Sequence, residues 1–358
     1  MTNEKLMQIA ALFAFEGEIS SIAPLGEGFI NDTYIVSVAG EAKYILQRKN
    51  HNIFPNVPAM MDNIAAVTEH IKRKVADPLR HALTIVPTVG GKLYAEAEGG
   101  FWAACLYITG SKSYDRADTA ELAYQGGVGI GRFQSLLADF DTPLHQTIEG
   151  FHNIRYRFAQ WDEAIAADAA SRVAELEEEI GWIESRREQM LSFWSLVEDG
   201  TIPTRVTHND TKISNILFDA DSGDVLCAID LDTVMSSTSL NDFGDAIRSY
   251  ANTGAEDDKE LERVGLSIEF FRAYAEGYLS ERKQSLTPSE AEWLAFSALY
   301  ITYEQVLRFL MDYINGDTYY KIAYPTHNLV RTHAQYRLLQ SMESQYQTMQ
   351  QIVAELLK

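Results

Sequence analysis

Only two cysteines occur in 358 residues, Cys105 and Cys227, each inside an apolar, strand-like run. That excludes a disulfide framework and reads as two buried, reduced thiols. The eight histidines show no paired metal spacing. No apolar run approaches the ~18 residues of a membrane span. The apolar stretch at 6–15 follows Glu4, lacks a small-residue cleavage site and runs into Glu16, so a helix lying on the domain is expected, not a targeting segment. A cytoplasmic location is the default. Basic residues are also scarce: 30 against 51 acidic ones, a formal charge of −21. Such a surface repels nucleic acid and anionic membranes, and neither is expected as a partner. No internal repeat or low-complexity segment is present, and the acidic run at 175–179 reads as a solvated helix face.

Against these absences one stretch carries chemistry. Residues 206–232 read V-T-H-N-D-T-K-I-S-N-I-L-F-D-A-D-S-G-D-V-L-C-A-I-D-L-D. Residues 215–219 and 224–230 are apolar and β-forming, with turn chemistry at 220–223, which predicts a hairpin. Its centre near Asp221 and Ser222 places Asn215 opposite Ala228. Asp230 then lies about 7 Å away, two residues along at roughly 3.3 Å each. Two oxygen-bearing side chains at that separation can share a magnesium ion, which takes ligands at about 2.0–2.1 Å. Asp210, in the loop before the first strand, is free to face a substrate hydroxyl. Transfer of a phosphoryl group from ATP needs these parts: a carboxylate for the attacking hydroxyl and oxygen ligands for the metal on the phosphates. Taken singly, Asp210 reads more simply as a turn cap and Asp230 as a strand-end carboxylate. Their combination with Asn215 points to a kinase.

His208-Asn209-Asp210 followed by Asn215 matches the H-x-D-x-x-x-x-N loop of kinases. In this form it resembles the aminoglycoside phosphotransferase and choline kinase superfamily. Y-I-L-Q at 44–47, F-P-N at 54–56 and M-D-N-I at 61–64 narrow the resemblance to the N-acetylhexosamine 1-kinases. R-V-T-H-N-D-T-K at 205–212, A-I-D-L-D-T-V-M at 228–235, D-F-G-D-A-I-R at 242–248 and Y-P-T-H-N-L-V-R at 324–331 do the same. The resemblance covers nearly the whole chain. It implies an α+β, bilobal protein-kinase-like fold, with a small β-rich N-terminal lobe and a larger helical C-terminal lobe. It also makes Arg308 and Tyr319 candidates for acceptor-sugar contacts, although an arginine on a helix is more often a surface charge and a tyrosine more often core. Asn31 is a third candidate.

The patterning agrees with that fold. Strand-like runs at 20–26, 33–38 and 43–48 precede a helix at 57–75 and further strands at 83–87, 92–97 and 101–108. Helical patterns follow at 117–139, 161–198, 257–283, 287–315 and 328–354, interrupted only by the 215–232 hairpin. The boundary is expected near 109–112, giving a nucleotide-binding lobe at 1–110 and an acceptor lobe with the catalytic loop at 111–358. A nucleotide base is expected against the backbone of Leu106 and Ile108. Gly26-Glu27-Gly28-Phe29-Ile30-Asn31 sits between two strands, where glycines let N–H groups approach phosphates. Taken alone, Gly26 and Gly28 fit an ordinary turn equally well; their position between the two strands favours the phosphate-covering role.

One feature departs from the kinase pattern. The third strand carries Gln47 where protein kinases have a phosphate-binding lysine. Alternation returns Lys49 to the face of Gln47, so either residue can serve. Asp232 is expected to share a strand face with Asp230. Two look-alikes are set aside. Asp242-Phe243-Gly244 lies 27 residues beyond Asn215, too far for the metal-ligand triplet, and Asp242 is expected to brace the catalytic loop or pair with Arg248. The glycines at 126, 127, 129 and 131 follow helix-like residues and miss the G-x-G-x-x-G spacing, which points to close helix packing.

The expectation is therefore ATP-dependent phosphorylation of the anomeric (C1) hydroxyl of an N-acetylhexosamine. Asp210 serves as base, Asn215 and Asp230 hold Mg2+, and the partners are a small-molecule sugar and ATP. Kinases for an aminoglycoside, choline or another sugar, and a non-catalytic kinase-like binding protein, are the alternatives.

Overall fold

The computed structural model describes residues 1–26 and 31–358. Glu27, Gly28, Phe29 and Ile30 lie outside the described residues, and with them the expectation placed on Gly28. In chain order the elements begin α1 (Asn3–Ala10), β1 (Ile19–Pro24), β2 (Asp32–Val38), β3 (Glu41–Lys49), α2 (Val57–Lys72), α3 (Pro78–His81), β4 (Ile85–Val86), β5 (Ala95–Ala97), β6 (Gly100–Leu106) and β7 (Ser111–Lys112). They continue with α4 (Ala120–Leu136), α5 (Ile154–Ala167), α6 (Glu177–Glu184), α7 (Arg187–Glu198), β8 (Arg205–Thr207), β9 (Ile216–Asp219), β10 (Val225–Ala228) and β11 (Met235–Ser237). The last four are α8 (Ser239–Tyr250), α9 (Ile268–Arg282), α10 (Pro288–Ile314) and α11 (His327–Leu356). The fold is α+β, with an antiparallel sheet in the N-terminal region and a helical C-terminal part. Among the described residues no helix is long and apolar enough to cross a membrane.

Two compact units form. The first comprises Met1–Ser113, Leu136–Glu149 and Asn215–Ser236. Its main sheet has the order β1-β2-β3-β6-β4, with β5 also on β6. Alternation along β3 buries Tyr44 and Leu46 against Leu6, Ile9 and Phe13 of the α1 region, together with Val36 and Trp102. The intervening residues Ile45, Gln47 and Lys49 therefore face the other way, as a pleated strand requires. Helix α2 starts where Asn56 accepts the Ala59 N–H at 3.1 Å. Asn63, inside it, bonds the His145 backbone N–H and carbonyl and the Val234 carbonyl at 2.8–3.0 Å, fixing the chain just beyond Asp232.

A second, three-stranded sheet in this unit has the order β10-β9-β7. The predicted hairpin is present, and Asp219 shapes its turn by accepting the N–H groups of Asp221 and Ser222 at 3.0 and 2.9 Å. Gly223 completes it at φ +80°, a left-handed conformation that favours glycine. The register differs from expectation by one residue. A shift between Val225 and Cys227 pairs Ala228 with Ile216, so Asn215 accepts instead from the Ile229 N–H at 2.8 Å. A bulge consumes one extra residue on its strand, which accounts for the slip.

The second unit comprises Tyr114–Ser135, Gly150–Ser214 and Ser237–Lys358. The single helix expected at 161–198 is three. Asp168, at φ +39°, ends α5, and its carboxylate accepts the N–H groups of Arg172 and Val173 in the turn that follows. An aspartate that satisfies nearby backbone donors competes with helix continuation. The glycines of α4 do pack helices closely. A Cβ on Gly127 would lie 2.2 Å from the Tyr274 carbonyl oxygen of α9, and one on Gly126 would lie 2.1 Å from the Tyr250 ring of α8. Helix α10 begins with a reciprocal capping box between Thr287 and Glu290.

Candidate active site

The first unit contains a cavity of about 470 Å³. It is lined by Gly26, Gln47, Lys49, Leu106, Ile108, Asn215 and Asp230, seven of the residues singled out from the sequence. The β3–β6 register gives the cavity a direction. Tyr44 pairs with Leu106 at one end and Lys49 with Phe101 at the other, about 16 Å apart along the strand. Ile45, Ile85, Leu106, Ile108, Leu217 and Ile229 supply apolar walls, whereas Gln47, Lys49, Asn215, Asp230 and Asp232 supply polar ones. An apolar slot with a few fixed polar groups suits a flat heterocycle carrying a charged tail. Leu106 donates its N–H to the Thr84 carbonyl at 2.8 Å, and the Ile108 carbonyl accepts from Ser111 Oγ at 2.6 Å. Both free thiols sit in this unit. Burial pushes Cys105, on the cavity wall, up to about 11 and Cys227 up to about 12, so both are unreactive thiols near neutrality.

Gln47 and Lys49 do share the cavity face, and they are joined to one another. Lys49 Nζ donates to Gln47 Oε1 at 2.8 Å and to Asp232 Oδ1 at 2.7 Å, while Gln47 Nε2 donates to Thr33 Oγ1 at 3.2 Å. The Lys49 and Asp232 side chains are each only 4 % exposed. Asn31 completes the arrangement: its Nδ2 donates to Asp232 Oδ2 at 2.8 Å, and its Oδ1 accepts the Asn50 N–H at 3.0 Å. The cation on the third strand thus exists at position 49, with a carboxylate partner from position 232 instead of from a helix. The expectation that Asp232 continues a strand face with Asp230 is corrected. Asp230 adopts φ +57°, ψ +56°, and a 3₁₀ turn at Leu231–Thr233 follows at once. Strand alternation ends there, and Asp232 turns to Lys49.

Among the described residues no group of three or more His, Cys, Asp and Glu side chains is placed to hold a metal. Asn215 and Asp230 nevertheless fit a divalent cation. They are two hard oxygen donors on one cavity wall, and a small cation of that kind keeps waters and takes its remaining ligands from phosphate.

Asp210 lies in the second unit, in a segment pinned by α8. Asp242 accepts the His208 N–H at 3.0 Å and the Asn209 N–H at 2.7 Å, and also the Gln134 side chain at 2.8 Å. Of the two roles expected for Asp242, bracing the loop is the one observed. Arg248 pairs instead with Asp245, whose other oxygen accepts the Thr211 N–H at 2.8 Å. Burial pushes the Asp242 carboxyl up, against the pull of the His208 ring and its N–H donors. Lys212 Nζ approaches Asp210 Oδ2 at 2.8 Å. Sequence reasoning did not single out Lys212 or Asp245. The two-residue step from Asp210 to Lys212 was a usable signal; the fold of α8 onto the loop left none.

Arg308 and Tyr319 come together in the same unit. The Arg308 guanidinium carbon lies 5.7 Å from the Tyr319 ring centroid, 5.5 Å from that of Tyr320 and 5.7 Å from that of Phe151. Arg308 is 9 % exposed and Tyr319 51 %. Asp312 shapes the loop that carries the tyrosines by accepting the N–H groups of Thr318, Tyr319 and Tyr320 at 2.8–3.0 Å.

An apolar cavity with charged groups along one side is the kind of site that takes a nucleotide. Residues 21–285 match the phosphotransferase enzyme family, and the chain belongs to it. Solved structures agree on the fold. A microcompartment-associated aminopropanol kinase aligns with a TM-score of 0.64 at 16 % identity, covering 96 % of this chain and 98 % of that one. An aminoglycoside phosphotransferase from Alicyclobacillus acidocaldarius gives 0.63 at 12 %, covering 98 % and 96 %. A spectinomycin phosphotransferase bound to ADP and spectinomycin gives 0.61 at 10 %, covering 97 % and 99 %.

Proposed function

We propose that this phosphotransferase moves the γ-phosphoryl group of ATP to the anomeric hydroxyl of an N-acetylhexosamine, releasing ADP and the sugar 1-phosphate. One observation carries the donor half: of the residues picked for nucleotide and metal from the sequence, the seven that are described line a single cavity with an apolar and a charged side. The base lies among the apolar residues near Leu106 and Ile108. Leu106 offers its carbonyl there, because its N–H is held by Thr84. Lys49 binds the phosphates, kept in place by Asp232 and Gln47. Gly26, on the cavity lining, lets its backbone approach the phosphates. Asn215 and Asp230 hold Mg2+, which when bound neutralises charge on the transferring phosphates.

Asp210 orients the C1 hydroxyl and takes its proton as that oxygen bonds to the γ-phosphorus and the β–γ bridging oxygen departs on ADP. The anomeric hydroxyl is more acidic than an ordinary alcohol, so a carboxylate suffices as base. The acceptor assignment rests on the sequence resemblance, with Arg308 and Tyr319 as sugar contacts. A fixed guanidinium among three rings favours a neutral acceptor over a cationic one such as choline or an aminoglycoside. Asn31 was a further candidate for this role, but both ends of its amide are engaged by Asp232 and Asn50.

ADP release measured across N-acetylglucosamine, N-acetylgalactosamine, other sugars, aminoglycosides and choline, with and without magnesium, tests the reading. Turnover confined to a cationic acceptor would replace it. The Asp210→Asn variant is expected to bind ATP as the wild type does while turnover falls by about 10²- to 10⁴-fold. A rate within a few-fold of wild type would remove Asp210 from the base role.

A further inference from the structure

Three N–H groups of the catalytic-loop backbone are held by carboxylates, which only accept hydrogen bonds, while the Asp210 N–H donates to His208 Nδ1 at 3.3 Å. Asp242 takes the N–H groups of His208 and Asn209, and Asp245 takes that of Thr211. Neither can hold a carbonyl; a donor is needed, and His152 supplies it. Its Nε2 lies 3.2 Å from the Asn209 carbonyl oxygen, half of the peptide group that leads into Asp210. Its Nδ1 lies 2.6 Å from Glu304 Oε2. A carbonyl and a carboxylate both accept, so each ring nitrogen must carry a proton, which a neutral imidazole cannot provide. The ring is therefore an imidazolium paired with a carboxylate.

The surroundings support that state. Glu304 is fully buried and also accepts from Arg157 Nε at 3.2 Å. Burial works to raise the Glu304 carboxyl, but His152 and Arg157 outweigh it and hold it at about 2. Burial likewise works to lower the His152 ring, and Glu304 outweighs it and raises it. Asp245 adds to that rise and Arg308 opposes it. His152 and Asn209 both adopt left-handed backbones, at φ +56° and +65°, a conformation uncommon for non-glycine residues but more open to histidine and asparagine than to most. The His152 carbonyl is itself fixed by Tyr300, whose hydroxyl donates to it at 2.8 Å. His152 thus holds the peptide that leads into Asp210, directly after the motif histidine His208, yet His152 itself lies outside that motif.

Resting on the reading of Asp210 as base, we propose that His152 is a positioning residue: through the Asn209 carbonyl it sets the Asn209–Asp210 peptide and so the aim of the Asp210 carboxylate. The imidazolium touches no substrate and acts only through the loop. Its removal should reduce turnover without weakening ATP binding, since the proposed nucleotide residues are in the other unit.

Two variants of the full-length chain separate this from simple destabilisation. His152→Asn tolerates a left-handed backbone but its short amide cannot span Glu304 and Asn209. Glu304→Gln keeps the shape and removes the charge that sustains the imidazolium. Both are expected to lower kcat by about 10- to 100-fold, the scale of a misaligned reacting group, with KM for ATP unchanged within about twofold. Hydrogen exchange at 206–212 should quicken in both while exchange in α11 does not. Asp210→Asn, assayed alongside, keeps the two claims apart. If that variant is active the base assignment falls, and exchange at 206–212 still decides the His152 contact. Unaltered exchange at 206–212 and unaltered kcat in folded His152→Asn and Glu304→Gln would overturn the proposal, as would a kcat loss that merely follows a rising KM for ATP.

Discussion

At the scale of single residues, the charge on the third strand is set by contacts that the sequence shows only in part. Alternation along 44–49 shows that Gln47 and Lys49 share a face, because a strand has period two whatever surrounds it. The partner of Lys49 was not readable. It depends on Asp230 adopting φ +57° and on the 3₁₀ turn behind it, neither of which has a sequence signature as strong as a glycine. Two charges buried to 4 % survive only as a pair. Asp232→Asn leaves the Lys49 ammonium without its compensating charge and should cost about 3–5 kcal/mol of stability, read as a lower urea midpoint at unchanged slope. Replacing both partners, Lys49→Met with Asp232→Leu, should recover much of that loss, because an apolar pair of similar volume removes the desolvation penalty. The double variant should still fail to bind ATP in titration calorimetry. Recovery of both stability and ATP affinity would show that Lys49 has no part in holding phosphates.

At the scale of elements, long helices and the β9–β10 hairpin were legible, while breaks and register were not. The 161–198 stretch reads as one helix because its composition is helix-forming throughout; Asp168 ends it by bonding two N–H groups that no pattern reveals. The hairpin register slipped by one because the bulge before Cys227 depends on tertiary fit. The α4 glycines were readable as packing devices, since the residues before them are helical and the spacing suits no phosphate loop. Gly127 and Gly181 make opposite predictions from the same substitution. A methyl on Gly127 meets a backbone carbonyl at 2.2 Å, so Gly127→Ala should force α4 and α9 apart and cost about 1–3 kcal/mol. A methyl on Gly181, in α6, meets nothing within 4 Å, so Gly181→Ala should raise stability by up to about 1 kcal/mol. Thermal melts of the two variants check both signs. A neutral Gly127→Ala would mean that the α4–α9 contact yields more readily than a close-packed interior should.

At the scale of the whole molecule, a charge of −21 opposes the arrival of a polyanionic nucleotide, although the cavity proposed for it holds a lysine. The two effects act over different distances. Lys49 is buried and acts at contact, where salt screens little, whereas the net charge acts beyond a Debye length of about 8 Å at physiological ionic strength. Added salt should therefore relieve the repulsion more than it weakens the attraction. Raising monovalent salt from about 10 to about 150 mM, which shortens the screening length roughly from 30 to 8 Å, is expected to speed ATP association several-fold in stopped-flow measurements. ATP dissociation should change less, since it reports the contacts and not the approach. The acceptor supplies a second arm to the same experiment. A neutral sugar feels no long-range field and its kcat/KM, taken at saturating ATP, should be flat across the series. A cationic acceptor would be drawn in by the acidic surface, and its kcat/KM should fall as salt rises. Flat for N-acetylhexosamine and falling for aminoglycosides is the pattern expected if the surface charge, and not the acceptor cluster around Arg308, governs the encounter; ATP association that slows with salt would show that local positive charge dominates even at a distance.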